Sequence, residues 1–294
     1  MEKINIRKFK DKLLLLWATY FRVSYVKYIY FRDMKRKVNL KNPKLFSEKI
    51  TWLNLFYWPF CEKVILATDK FELKKILIEK GYKKYLPKTI AVYENIDDIE
   101  VLSNFPNEFV FKKTNSSGDV LIVKNKSLLD LEKTKKIIRE WFNTDFGKKF
   151  AEFHYSEIMS RVICEEYIEN INQEIRFFCF NGEPLGIQID NVVFSDESID
   201  GIEEKKDTEN RRYFNIKDLE KEYSLENIIR IQSFKEILEI SREIASEYLF
   251  VRIDFFEAEG VFYISELTFT PSGGRNVTLP LEKQLEWGSW IKLP

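Results

Sequence analysis

An α+β fold is predicted by three features of this sequence. Apolar runs at Ile175–Phe180 and Leu185–Asp190 flank Asn181-Gly182, a dipeptide that favours the left-handed two-residue turn joining antiparallel strands. Amphipathic stretches of helical period, such as residues 69–80 and 127–142, stand between such strand runs. Their order departs from the strict strand–helix–strand alternation of a doubly wound parallel sheet.

Composition sets the outer bounds. Of 294 residues, 45% are apolar and 15% aromatic, 25 of them Phe, which excludes a disordered chain and suffices for one large core or two coupled lobes. Lysine plus arginine and aspartate plus glutamate both number 47, so the whole chain carries no bias toward nucleic acid. Cys61, Cys164 and Cys179 lie far apart without CxxC spacing. With a single His they argue against structural zinc, and as free thiols they fit a reducing, cytoplasmic location.

Residues 1–40 form a basic, aromatic segment predicted to be helical. Lys3, Arg7, Lys8, Lys10, Lys12, Arg22, Lys27, Arg32, Lys35, Arg36 and Lys37 face only Glu2, Asp11 and Asp33. The uncharged run beginning at Leu13 ends at Arg22 with no small-residue cleavage site after it. It falls well short of the ~20 apolar residues that span a bilayer, so neither a signal peptide nor a transmembrane helix is expected. Trp17, Tyr20, Phe21, Tyr25, Tyr28, Tyr30 and Phe31 leave two readings open: peripheral contact with an anionic membrane surface, or a helix packed on its own domain.

Residues 41–60 read as a turn and a short helix with Ser47 as N-cap. A second helix starts at Asp69 and stops at Gly81. Phe109–Lys113 is a strand, Thr114–Asp119 a polar loop, Val120–Lys124 a returning strand, and 127–142 a charged helix. Residues 195–212, polar and acid-rich, read as a mobile loop, and 225–248 as helices.

The last hairpin, Phe250–Phe269, carries the chemistry. Read with a three-residue turn Ala258-Glu259-Gly260, it pairs Glu257 with Val261 and sets Arg252 opposite Glu266. Alternation then puts Arg252, Asp254, Glu266, Thr268 and Thr270 on one face, and Val251, Ile253, Phe255, Leu267 and Phe269 on the other. Asp254 and Glu266 become diagonal neighbours roughly 7–8 Å apart at Cα, placed to share a hard cation such as Mg²⁺. A two-residue turn would send the two carboxylates to opposite faces. The other reading of this register is an exposed face with an Arg252–Glu266 ion pair.

Four segments together resemble the ATP-grasp superfamily, in the teichuronopeptide-biosynthesis (TupA-like) branch, from about Lys41 to Pro294: Asn42-Pro43-Lys44-Leu45-Phe46-Ser47-Glu48-Lys49; Phe109-Val110-Phe111-Lys112; Glu165-Glu166-Tyr167 with Phe177–Pro184; and Glu266-Leu267-Thr268-Phe269-Thr270-Pro271. The resemblance implies two lobes with antiparallel sheets enclosing ATP. It divides the chain into a basic segment 1–40, an N-terminal part 41–108, a small lobe 109–164 with a phosphate lid, and a large lobe 165–294. Lys70 and Lys112 would hold phosphates, with Ser117 and Gly118 in the lid. Glu165, Glu166 and Tyr167 would form the adenine hinge, and Glu174 would meet the ribose. Asp254 and Glu266 would bind Mg²⁺, with Arg252 and Lys112 as catalytic residues. Tyr155, Arg161, Arg176, Thr268 and Thr270 are candidate substrate residues. The lid departs from the family's His-Gly-Ser-Gly-Gly, reading Asn115-Ser116-Ser117-Gly118-Asp119, which restricts close approach to phosphate and adds a repelling carboxylate. His154, with no nucleophile beside it in sequence, reads as structural or substrate-adjacent.

The implied activity is a ligase that joins a carboxylate to an amine through an acyl phosphate. Its substrates would be a uronic-acid-bearing sugar or polysaccharide and an amine or amino acid, in cell-surface polysaccharide assembly. A kinase and a non-catalytic nucleotide-binding subunit are the alternatives.

Overall fold

A computed structural model describes residues 2–100, 104–191, 193–199, 202–206, 212–218 and 231–294. The chain forms two compact units. One comprises Met1–Leu66, Thr144–Met159 and Phe269–Pro294; the other comprises Ala67–Asn143 and Ser160–Thr268.

The first unit is helical. Helices Glu2–Tyr20 and Arg22–Met34 bury Ala18, Tyr25, Val26 and Ile29 with Leu55, Ala151 and Phe153. Helix Phe46–Phe56 meets helix Leu281–Trp290, where Phe46 and Trp287 pack edge to face at 5.8 Å. Gly288 permits that approach: a Cβ there would lie 2.1 Å from the Lys44 carbonyl. Ser47 is not the N-cap expected for the third helix. It sits inside the first turn, and Glu48 closes the helix start by accepting from the Asn39, Lys44 and Leu45 N–H groups at 3.0–3.2 Å.

The second unit holds both sheets. Strands β1 (Thr89–Tyr93), β2 (Phe109–Lys113), β3 (Val120–Val123), β4 (Val162–Glu166), β7 (Val193–Ile199) and β8 (Ile202–Lys206) form one, ordered β1-β4-β2-β3-β8-β7. Strands β5 (Ile171–Phe180), β6 (Glu183–Asn191), β9 (Arg212–Asn215), β10 (Phe250–Ala258) and β11 (Val261–Thr268) form the other, ordered β11-β10-β5-β6-β9. All the pairings are antiparallel. Phe109, Phe111, Val162 and Cys164 bury one face of the first sheet with Ile138 and Trp141 of helix Leu131–Phe142. Helix Ile231–Ala245 covers the second sheet, with Phe234 5.8 Å from Phe177.

The Asn181-Gly182 turn forms as predicted, with φ of +49° and +88°. The expected loop at 195–212 is instead largely strand: β7, β8 and β9 occupy its described residues. β7 and β9 are sheet edges, where charged residues discourage further pairing, so a polar composition there was no sign of a loop. The charged helix begins at Leu131 with Asp130 as N-cap, later than expected, because residues 126–128 form a separate short turn. The start of the helical region expected at 225–248 lies outside the described residues.

Candidate functional site

The last hairpin differs from its expected register. Its turn is the two-residue Glu259-Gly260, both left-handed at φ +53° and +83°, so Ala258 pairs with Val261 and Glu257 with Phe262. A non-glycine residue accepting a left-handed conformation is what the three-residue reading overlooked. That turn alone would separate the carboxylates, but Ser265 has no partner on β10. This bulge restores the face: Asp254 stands directly opposite Glu266, not diagonal to it, and Arg252 opposite Thr268 rather than Glu266. β11 ends at Thr268. Thr270 therefore does not continue the strand face; it belongs to the helical unit, where its hydroxyl donates to Glu152.

A row of polar residues crosses four strands in register: Gln188 on β6, Arg176 on β5, Asp254 on β10 and Glu266 on β11. Arg252 grips Asp254 with two donors, at 2.6 and 2.5 Å. It also donates to the Thr268 hydroxyl at 3.1 Å and lies 3.7 Å from Glu266. Thr268 passes a hydrogen bond on to Glu266 at 3.1 Å. Arg176 donates to Glu174 and Asp190 and stands 3.4 Å from Asp254. Glu174 thus engages a neighbour on its own strand.

These fields pull the two carboxyls apart. Burial raises Asp254 above its ordinary range, only partly countered by Arg252 and Arg176. Burial would raise Glu266 as well, but Lys70 and Arg252 outweigh it and bring that group down to about 2.

A cleft lies between the sheets and helix Lys70–Glu79. Its lining includes Lys70, Lys74, Lys112 and Glu165, with apolar Leu73, Leu77, Leu86, Ile163 and Ile264. Strand alternation explains the charged members. Phe109, Phe111 and Lys113 of β2 turn to the core, where Lys113 donates to the Trp141 carbonyl at 2.6 Å, leaving Lys112 on the cleft side. On β4, Val162 and Cys164 face the core, while Ile163 and Glu165 face the cleft. The Glu165 carboxylate bridges Lys74 and Lys112, the latter at 2.7 Å. Burial pushes Glu165 up, but the two ammonium groups more than reverse it and hold the carboxyl below its usual value. Burial likewise lowers Lys74, only partly offset by Glu165. Lys70 joins the cleft to the acidic pair: its Nζ donates to the Ser116 carbonyl at 2.6 Å and lies 3.3 Å from Glu266.

The loop after β2 turns through Gly118, at φ +89° with open space around it. Ser117 and Gly118 are exposed. Thr114 and Ser116 are buried, and their hydroxyls meet no hydrogen-bond partner. Orphaned hydroxyls beside a lysine are an arrangement that an anionic ligand satisfies.

The remaining predicted residues lie elsewhere. Glu166 accepts from the Lys88 N–H at 2.8 Å, and the Lys124 ammonium sits 3.8 Å above the Tyr167 ring. Of the three hinge candidates, Glu165 is the one that lines the cleft. Arg161 anchors Asp69, Glu72 and Glu94 at 3.0–3.4 Å. Tyr155 and His154 are buried in the helical unit, where His154 packs among Trp58, Tyr155 and Phe269 with neither ring nitrogen bonded. Burial lowers His154 to about 3, so it stays neutral. Among the described residues, no group of three or more His, Cys, Asp or Glu could hold a metal by itself. Asp254 and Glu266 provide two hard oxygen donors, which fits an Mg²⁺ whose other ligands come from phosphate and water. Sequence reasoning missed Lys74, although it stands four residues after Lys70 and so on the same helix face.

The sequence model described as TupA-like ATPgrasp matches residues 48–292. Among solved structures, an L-amino acid ligase from Bacillus licheniformis is 12% identical, with 94% of this chain and 63% of that chain covered and a TM-score of 0.51. A D-alanine–D-alanine ligase from Helicobacter pylori is 16% identical over 84% and 69% of the two chains, with a TM-score of 0.49. Its counterpart from Bacillus anthracis, complexed with ATP, is 20% identical over 76% and 62%, with a TM-score of 0.46. This chain thus spans between 62% and 69% of the length of these ligases. The likeness to the first of them bears on the fold: helices with two antiparallel sheets, arranged as in ATP-grasp ligases. No curated protein matches the chain.

Proposed function

Because the chain belongs to the TupA-like ATP-grasp family, we propose that it is an Mg·ATP-dependent carboxylate–amine ligase acting on a cell-surface polysaccharide or its precursor. One observation carries the nucleotide half of this reading. Lys70, Lys74 and Lys112 converge, with the Glu165 carboxylate between two of them, on a cleft whose remaining walls are mostly apolar, and Lys70 reaches from it to the Asp254–Glu266 pair. Ammonium groups suit phosphate oxygens, and the apolar lining suits a purine. The unpartnered Thr114 and Ser116 hydroxyls add donors for the same anion.

Asp254 and Glu266 would hold Mg²⁺, which supplies charge neutralisation on the phosphates. Arg252 and Lys70 would release part of their present carboxylate contacts to meet the transferring phosphoryl group. The substrate carboxylate oxygen attacks the terminal phosphorus, the bridging P–O bond breaks, and ADP departs. An amine nitrogen then attacks the activated carbonyl, phosphate leaves, and the nitrogen loses a proton. Holding both substrates in one site supplies the proximity advantage. The uronic-acid-bearing substrate is supported by the family's teichuronopeptide association alone.

The test is product analysis with Mg·ATP and panels of uronic acids and amines. ADP and free phosphate that appear only with both substrates support the ligase. A stable phosphorylated product without amine dependence replaces it with a kinase. ATP binding without turnover leaves a nucleotide-binding subunit, the outcome that Asp119 in the lid would favour.

A further inference from the structure

We infer that the helical pair Glu2–Tyr20 and Arg22–Met34 docks the protein on an anionic lipid surface through the face it leaves outside its own core. These helices do pack on their unit: Ala18, Tyr25, Val26, Ile29 and Tyr30 are all buried. Their apolar content exceeds what that packing uses. Of the 20 large hydrophobic side chains exposed among the described residues, eight fall between Leu13 and Phe31, which marks a patch rather than scatter. Leu13, Leu16 and Tyr20 recur at helical spacing and form one stripe. Tyr20 and Phe21, 74% and 66% exposed, project at the corner between the helices. Tyr28 and Phe31 continue along the second helix.

Charge complementarity identifies the occupant. The first forty residues hold eleven basic and three acidic side chains in a chain that balances at 47 and 47, so the positive excess is local to this segment. Asp33 is engaged by Arg32 at 2.5 Å and by Arg275 at 2.9 Å. Lys12, Lys27, Lys35 and Lys37 are exposed and have no acidic partner among the described residues. Free ammonium groups around protruding aromatic and aliphatic side chains match phosphate headgroups above an acyl boundary. A second copy would bring the same positive excess to the same face. Nucleic acid would satisfy the lysines but offers nothing to Leu13, Leu15, Leu16 and Val23. Among the described residues no helix is long and apolar enough to cross a membrane, so the contact is peripheral.

The experiment uses the full chain with sedimentable vesicles of phosphatidylcholine alone, or of phosphatidylcholine mixed with phosphatidylglycerol, at low and high salt. The expected result is sedimentation with the anionic vesicles only, weakened several-fold by salt. Phe21→Ser with Phe31→Ser should lower vesicle partitioning at least tenfold without moving the melting temperature. Lys27→Glu with Lys35→Glu should remove the preference for anionic lipid. Absence of sedimentation with anionic vesicles at low salt overturns the proposal, as do variants that sediment like the parent. Self-association or short-RNA binding that these substitutions abolish, without any vesicle binding, overturns it in favour of that partner.

Discussion

Asp254 and Glu266 face each other directly across β10 and β11 and share one nitrogen of Arg252, at 2.5 and 3.7 Å. The unpaired Ser265 makes this possible, because the two-residue turn alone would set them on opposite faces. In this structure Arg252 takes the position between the acids that a divalent cation would contest. The proposed site therefore depends on an arginine that binds both acids and gives up part of that contact to a phosphoryl group.

Arg252→Lys tests that exchange. A lysine retains the charge but loses the fork that grips Asp254 with two donors. Turnover of Mg·ATP should fall about 10²–10³-fold, the scale of one transition-state electrostatic contact, with the fold intact by circular dichroism. An unchanged kcat/KM for ADP formation would remove Arg252 from the proposed chemistry.

Glu165→Gln tests the cleft. Glu165 is almost fully buried between Lys74 and Lys112, and its loss leaves two ammonium groups without their counter-ion. The variant should lose about 3 kcal/mol of stability, the lower end for breaking a buried pair. ATP should raise its melting temperature more than that of the parent, since phosphates replace the missing carboxylate. A smaller ATP-induced rise in the variant than in the parent would place the nucleotide elsewhere.

Acid should weaken the fold in two windows. Glu266 titrates near 2 in the folded chain against an ordinary 4.5, so its stabilisation is complete above about 4.5. It fades as the pH falls toward 2, about 3 kcal/mol in all. Asp254 has a raised folded value and works in the opposite direction, offsetting part of that loss. His154 acts earlier. It stays neutral when folded, while the unfolded chain takes up a proton below about 6.5, so stability drops from there toward 3. Denaturant melts against pH should show the Glu266→Gln variant with a flatter limb below 4.5 and an unaltered one above it.

His154→Leu should fold at least as stably as the parent, because the ring nitrogens are buried without partners and their desolvation cost, about 1–3 kcal/mol, disappears. ATP turnover should not change, since a group held neutral to about 3 gains nothing near neutral pH. A large loss of kcat with retained stability would assign His154 a chemical role.

Local alternation made β2 and the placement of Lys112 legible in the sequence, and Asn181-Gly182 marked its own turn. The bulge at Ser265 was not legible. An extra residue on one strand is visible only once its partner strand is in place, and without it Asp254 and Glu266 were paired in the wrong geometry. The edge strands β7 and β9 misled for a related reason: edge strands carry the composition of loops. Lys74 was readable from helical spacing but has no place in the motifs that directed attention to Lys70 and Lys112. The helices within residues 1–60 were marked locally, but the joining of three chain segments far apart in sequence into one helical unit was not.

A cation on Asp254 and Glu266 would complete the proposed nucleotide site, and calorimetric titration with ATP measures that dependence. In the parent, ATP should bind with Mg²⁺ present and much more weakly with Mg²⁺ chelated, and Asp254→Asn with Glu266→Gln should abolish that difference. Mg²⁺-dependent ATP binding of equal strength in the doubly substituted protein would place the cation away from these two carboxylates.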